Sequence, residues 1–506
     1  MPRRQVMTIT VGVMLSLFMA SMESTVVATA MPTIVSQLGG LSSYSWVFSV
    51  YMLASTTTVP VYGKLSDIYG RRPVYAIAML LFLLGSLLCG FSQSMGQLIA
   101  ARAVQGLGSG GLLPLAFIII GDLFTLEQRA RMQGVFSGVW GVSSVVGPLL
   151  GGFLVDQVSW HWVFFINVLP GLLALILVWR AWVDRPRTAG AARPAVDYAG
   201  SVLLTVSVVL LLLGLFDFGT PLGWGLLGVA LLLFALLAWV ERRAADPVLP
   251  LRLFRDRLFA IACLHGVLAG WAMFGSTAYV PLFVQAVLGT SATEAGVTLT
   301  PMLIAWVIAS IVGSRLLLTV GYRTLALIGM VLLTIGSFLM TQVGVGTPQA
   351  LLLGSLALMG VGMGLSIPAF LIAVQSTVRR EALGSATSTV QFSRSIGGTL
   401  GVSVMGAVLS ARLASGLLTA SLDPASVSLN ALLDPIASAS NAALDGTLRM
   451  VLASAIQSVF WLAFGASVLA LAGTALAPGG RIAQLAARRA QGDGEGAVQP
   501  VGVTEI

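Results

Sequence analysis

The sequence predicts an all-α polytopic membrane protein of fourteen transmembrane helices: two six-helix bundles repeated in parallel, with a two-helix hairpin inserted between them. Three observations predict it. The 506 residues are 57% hydrophobic and 9% charged, with a mean hydropathy of +0.95, whereas soluble domains carry about 25% charged residues. Long intervals contain no Asp, Glu, Lys or Arg, and the chain repeats itself at an offset of about 250 residues. This composition excludes a soluble enzyme, because too little polar surface would remain to face water, and it excludes disorder, which requires low hydrophobicity.

The charge-free intervals 73–101, 132–155, 157–179, 218–240 and 295–314 each accommodate one span. Interval 324–378 is 55 residues long and is broken by Gly344-Val345-Gly346-Thr347-Pro348, a turn signal, so it reads as two. The fourteen spans are expected near 7–31, 44–63, 73–91, 97–119, 133–154, 163–182, 199–217, 223–241, 259–284, 295–314, 324–343, 349–372, 384–411 and 450–476. The net charge of +8 has a topological explanation rather than a nucleic-acid one, since the cations sit between apolar runs instead of clustering on a soluble face. With the N-terminus inside, 23 of the 27 Lys and Arg fall in inner loops. Both termini are therefore expected to be cytoplasmic, in a multi-pass plasma (cytoplasmic) membrane protein. Cys89 and Cys263 lie within apolar runs and are expected to pack as small hydrophobes rather than to form a disulfide.

The repeat is ordered. Gly106, Gly108 and Pro114 return as Gly360, Gly362 and Pro368, while Arg129, Gly134, Gly147 and Gly151 return as Arg379, Gly384, Gly397 and Gly401. Spans one to six thus correspond to spans nine to fourteen. The boundaries that follow are 1–195 for the N-terminal bundle, 196–257 for the hairpin and cytoplasmic linker, 258–478 for the C-terminal bundle and 479–506 for a tail expected to be disordered. Parallel repeats about a membrane-normal axis suit two bundles that rock about a midplane site. Close helix packing by glycine is the plainer reading of each glycine taken singly.

Several motifs carry a family resemblance. Gly63-Lys64-Leu65-Ser66-Asp67-Ile68-Tyr69-Gly70-Arg71-Arg72 is expected as a short cytoplasmic turn. Gly141-Val142-Ser143-Ser144-Val145-Val146-Gly147-Pro148-Leu149-Leu150-Gly151-Gly152 lies in span five, and Leu98 to Gly106, centred on Arg102, in span four. With Met22 to Pro32 and Trp160 to Asn167, these segments resemble the major facilitator superfamily, in its branch of fourteen-helix drug:proton antiporters (multidrug efflux). The resemblance implies a major facilitator fold and a latch of Asp67, Arg71 and Asp122 closing the cytoplasmic side. It also implies an antiporter motif with a bend at Gly147-Pro148 and a close interface at Gly151-Gly152. The chain departs from the pattern at Glu23, Ala28 and His161, where the family usually has Asp, Asn and Arg; Glu23 keeps the carboxylate on a longer arm.

Three formal charges fall within spans: Glu23, Arg102 and Arg394. Charges at that depth face a partner or a wet cavity. At 1.5 Å per residue, Glu23 and Arg102 both lie roughly 22–24 Å from the inner surface, which makes them candidates for proton coupling or for a static ion pair. Arg394 lines up less well; with Gln391 it forms a patch that contacts substrate or satisfies backbone carbonyls. Gln105, Trp140, Phe274 and Tyr279 complete the candidate substrate cavity, although aromatic residues in spans commonly only pack, and His265 is expected as a hydrogen-bonded core histidine. No nucleotide-binding loop or metal-ligand set stands out, so no cofactor or metal is expected, and a proton gradient is the expected energy source. The expected function is proton-coupled export of amphipathic small molecules by a monomer surrounded by membrane lipid, without nucleic-acid partners. Export of lipid or lipid-like molecules is the alternative within the same fold, and a non-transporting membrane sensor or receptor is the alternative outside it.

Overall fold

Apolar runs that cross hydrocarbon must satisfy their own backbone groups, and a helix does so within one segment. The computed structural model describes residues 2–38, 44–183, 197–216, 219–244, 251–288, 297–379, 382–420 and 442–480, which are overwhelmingly helical and contain no strand among the described residues. In chain order the helices are α1 (Arg3–Leu38), α2 (Tyr44–Tyr69), α3 (Arg71–Gly90), α4 (Met95–Leu123), α5 (Leu126–Gln157), α6 (Trp162–Phe165), α7 (Val168–Ala181), α8 (Tyr198–Phe216) and α9 (Pro221–Arg243). They continue as α10 (Arg257–Ala286), α11 (Thr300–Val320), α12 (Tyr322–Met340), α13 (Gln349–Thr377), α14 (Leu383–Thr419) and α15 (Ala442–Ala475). Short α6 and long α7 form one span, so fourteen spans result among the described residues, eleven of which are apolar and long enough by themselves to cross a membrane. Of the others, α8 is apolar but short, whereas α2 and α5 have 26 and 32 residues and dilute their hydropathy with hydroxyl residues, glycines and terminal charges.

Several expectations are corrected. The stretch from Gly63 to Tyr69 is not a loop: it forms the last turns of α2, and only Gly70, at φ 94°, separates α2 from α3. Gly321, at φ 92°, does the same between α11 and α12. Both occupy the left-handed region that a residue without Cβ enters at little cost. The expected external loop 413–448 is shorter, because α14 runs to Thr419 and α15 starts at Ala442. Residues 421–441, with Asp423 and Asp434, lie outside the described residues, as do Arg185, Arg187, Arg193, Arg380 and the tail from Arg481.

The repeated glycines perform matching tasks. A Cβ on Gly106 would lie 2.6 Å from the Tyr51 carbonyl oxygen of α2, and one on Gly360 would lie 2.9 Å from the Met302 carbonyl carbon of α11. Gly108 faces Ala78 and Phe82 of α3, just as Gly362 faces Gly329 and Leu333 of α12. Gly147 presses on Thr25 of α1, and Gly397 on Val267 of α10. Small residues let backbones approach where lipid offers no hydrophobic drive between helices. Gly108→Val places methyl groups where a Cβ alone would be 2.6 Å from the Ala78 carbonyl oxygen. It is expected to cost about 1–3 kcal/mol, read as a lower thermal unfolding midpoint in lipid nanodiscs; an unchanged midpoint would show that α3 and α4 separate freely.

The core is asymmetric across the membrane. On the arginine-rich face, where α1 begins and α15 ends, one apolar cluster runs through both bundles, from Ile9, Phe82 and Ile119 to Tyr322 and Phe370. Towards the opposite face the buried apolar residues form two clusters, one around Met22, Val47 and Trp160 and the other around Phe283, Met330 and Phe460. The bundles are therefore joined on the arginine-rich side. Two helix pairs make the joint. Helix α2 meets α14, where Leu53 and Ile396 pack with Leu204, Val208, Leu212 and Leu237 of the hairpin. Helix α5 meets α11, where the Ser137 hydroxyl donates to the Ser310 hydroxyl at 2.6 Å and Gly141 faces Val307. The hairpin covers the first joint. Beside the second, α1, α5 and α11 leave a lateral groove of about 750 Å³, lined by apolar residues such as Phe18, Val139 and Ile311, with Arg131 and Arg315 at its arginine-rich end.

Candidate functional site

The most deeply buried charges among the described residues are Glu23 on α1 and Arg102 on α4, each 1% exposed. Their side chains meet: Arg102 Nη1 donates to Glu23 Oε1 at 2.6 Å. The other carboxylate oxygen, Oε2, accepts from Asn167 Nδ2 at 2.7 Å. Asn167 sits at the break between α6 and α7 and heads α7, yet its side chain makes no cap; it is spent on Glu23 and on Ser86 Oγ, 3.1 Å away.

Arg102 has further partners that carry no charge. The same Nη1 donates to Gln105 Oε1 at 2.6 Å, Nε donates to the Val47 carbonyl at 3.3 Å, and the guanidinium lies 4.0 Å from the centre of the Tyr51 ring. Gln105 donates in turn to Ser86 Oγ at 3.2 Å, and Ser86 donates to the Phe164 carbonyl at 2.9 Å. A buried ion pair is costly to form and costlier to break, because the remaining partner is left charged and dry. Here the neutral acceptors could hold Arg102 if Glu23 became neutral. Gln105, expected on a cavity wall, instead belongs to this network.

A second constellation lies on the arginine-rich side. Arg71 donates through Nη1 to Asp67 at 2.6 Å and through Nε to Asp122 at 2.9 Å. Asp67 reaches across to the other bundle, where its Oδ1 accepts from the Gly384 amide at 3.0 Å and its Oδ2 from the Ser385 amide and hydroxyl at 2.8 and 2.9 Å. These are the first amides of α14, which have no acceptor within their own helix, and the helix dipole favours a carboxylate there. A Cβ on Gly63 would lie 2.8 Å from the Gly384 carbonyl oxygen, so this contact requires the glycine pair. Gln375 and Arg129 add bonds across the same joint, to the Phe117 and Gln375 carbonyls respectively.

The remaining candidates are placed differently. Gly152 has open space where a Cβ would stand, so the close interface expected at Gly151-Gly152 is not formed by Gly152; Gly147 makes the close contact, with Thr25. The Pro148 side chain lies outside the described residues. Trp140 packs on the shared core, away from Phe274 and Tyr279, which both pack on the C-terminal cluster; Phe274 lies against Gly398, and Tyr279 donates to the Val402 carbonyl at 2.7 Å. Gln391 and Arg394 lie on α14, Arg394 within electrostatic reach of His265 on α10. His265, expected to be hydrogen-bonded, has a buried Nε2 without a partner among the described residues. Asn167, Ser86 and Tyr51 were not foreseen as site residues. Asn167 had one signal, a polar amide at the end of the Trp160 to Asn167 segment; Ser86 and Tyr51 had none, since hydroxyl residues are common in spans.

Residues 13–402 match the family described as the Major Facilitator Superfamily. The chain is 41% identical over 424 residues to the Multidrug transporter protein MdtP of Bacillus subtilis (strain 168), covering 83% of this chain and 78% of that one. It is 40% identical over 406 residues to Multidrug resistance protein 3 of the same organism, covering 79% of each. Its fold resembles that of the proton:xylose symporter XylE, with a TM-score of 0.65 and 14% identity over 96% of this chain and 100% of that one. On the match over most of its length and on these relatives, the chain is a multi-pass membrane transport protein, not an enzyme, and belongs to the Major Facilitator Superfamily.

Proposed function

We propose that this protein exports amphipathic small molecules in exchange for protons, by rocking its two bundles about a site between them. The observation that carries the reading is the Glu23–Arg102 pair, 2.6 Å apart and 1% exposed on both sides, with neutral acceptors on α2 and α4 ready for the guanidinium. Protonation of Glu23 at Oε1 would break the charge pair, leave Arg102 on Gln105, Val47 and Tyr51, and release α1 from α4. Release of that proton would restore the pair. The arginine-rich face is cytoplasmic in this reading, so both termini are cytoplasmic in a plasma membrane, and the latch of Asp67 closes the inner side. The proton gradient is the energy source, no cofactor is used, and the monomer is the working unit. The names of the two relatives, one a multidrug transporter and one a multidrug resistance protein, support small-molecule drugs as cargo.

Export of lipid-like molecules has one observation in its favour. The groove between α1, α5 and α11 is apolar along its length with arginines at one end, which suits an amphiphile entering sideways. Purified protein in proteoliposomes, tested against lipophilic cations, neutral drugs and a fluorescent phospholipid, separates the readings. Drug movement against its gradient is expected only with an imposed pH gradient and is expected to collapse with a protonophore. Movement indifferent to the pH gradient for every compound would sink proton coupling, and movement of the phospholipid alone would replace drugs by lipids.

A further inference from the structure

Among the described residues, Arg394 has no acid paired with it. Helices α10 to α14 contain no Asp or Glu, and α15 has only Asp445 in its first turn. Arg394 is half-buried and makes no ion pair or hydrogen bond among the described residues. The groups around it are also left wanting. His265 and Gln391 are 3% and 2% exposed, and the His265 Nε2, Gln391 Nε2 and Trp271 Nε1 atoms are buried without partners among the described residues.

His265 and Trp271 lie on α10, Gln391 and Arg394 on α14, and these two helices pack together. Gly266 and Gly270 of α10 pack on the backbone of Arg394, and Gly401 of α14 packs on Trp271. His265 lies about 12 Å into α10 and Arg394 about 16 Å into α14 from the arginine-rich ends, within electrostatic reach of each other. An unanswered cation in a low-dielectric bundle is expensive, and buried nitrogens without acceptors add to that cost. The arrangement lacks one thing, an acceptor carrying negative charge.

We propose that Arg394, with His265 and Gln391, binds the anionic head group of a transported amphiphile, a carboxylate or phosphate on an apolar body. A guanidinium offers paired N–H donors that match the two oxygens of such a group. Division of labour follows: the N-terminal bundle holds the acid Glu23, and the C-terminal bundle holds the anion of the cargo. This rests on the reading of the chain as an exporter of amphiphiles, and binding and transport test the two separately.

The probes are pyrenebutyrate, pyrenebutanol and pyrenebutylamine, which share one apolar body. Binding is read by energy transfer from tryptophan to pyrene, with the full chain in phosphatidylcholine nanodiscs. Wild type is expected to bind the carboxylate at least about tenfold more tightly than the alcohol. Arg394→Gln is expected to bring that ratio to about one with alcohol binding retained, which also reports that the variant is folded, and Arg394→Lys is expected to keep part of the preference. Equal binding of carboxylate and alcohol by wild type, or an unchanged ratio in Arg394→Gln, would overturn the site even if proteoliposomes export drugs. A preference for the anion that depends on Arg394 supports the site even where no compound is moved, an outcome that would instead remove the exporter reading.

Discussion

Glu23→Gln is expected to reduce pH-gradient-driven transport in proteoliposomes to the protein-free background. Gln keeps the length of the side chain and can still accept from Arg102 and donate or accept at Asn167, so the packing of the network survives, but the proton that drives the cycle has no place to bind. The stability effect is separate. Removing one partner of a buried pair costs about 3–5 kcal/mol when the other is left unanswered. Arg102 retains Gln105 at 2.6 Å, the Val47 carbonyl at 3.3 Å and the Tyr51 ring at 4.0 Å, so the expected loss is smaller, about 1–3 kcal/mol. A folded Glu23→Gln protein in nanodiscs with no driven transport is the expected pair of results. Full driven transport by the variant would show that the pair is a structural brace.

Asp67→Ala is expected to open the arginine-rich side. Asp67 is the acceptor of three bonds from α14, at 3.0, 2.8 and 2.9 Å, and bonds to a charged group contribute about 1.5–3 kcal/mol each. Even with heavy non-additivity, losing them changes the balance between closed and open states by about two powers of ten or more, since about 1.4 kcal/mol is a factor of ten. Arg71 keeps Asp122 at 2.9 Å, so the N-terminal bundle itself is expected to stay folded. Spin labels at Tyr69 and Thr319, at the ends of α2 and α11, read the change as a new, longer distance. Cys89 and Cys263 are 0% and 4% exposed and add little background labelling. An unchanged distance distribution would mean that the apolar joint alone keeps this side shut.

Much of this was written in the sequence because a bilayer leaves so few choices. Charge-free runs had to be helices, and the recurrence of glycines in the same order at an offset of about 250 residues told which helices correspond. Glu23 and Arg102 could be matched by depth because helix rise is fixed and both are single charges in long apolar runs. Asp67 and Arg71 could be matched by motif, but the partner of Asp67 could not. Gly384 and Ser385 carry no sign that their amides are free, and only the arrival of α14 beside α2 makes them a receptor for a carboxylate. Gly152 misled for the converse reason: a small residue permits a close approach without requiring one.

By itself, the sequence determined the solvent, the number of crossings, the internal repeat and the two charges at matching depth. These depend on local quantities: hydropathy, rise per residue and the distribution of charge along the chain. Tertiary structure decided which side of the molecule is closed, that Gln105, Asn167 and Ser86 complete the shell of Glu23, and that Arg394 stands without an acid among the described residues. Those facts depend on how helices far apart in the chain pack side by side, and such distances through space have no counterpart in distance along the chain.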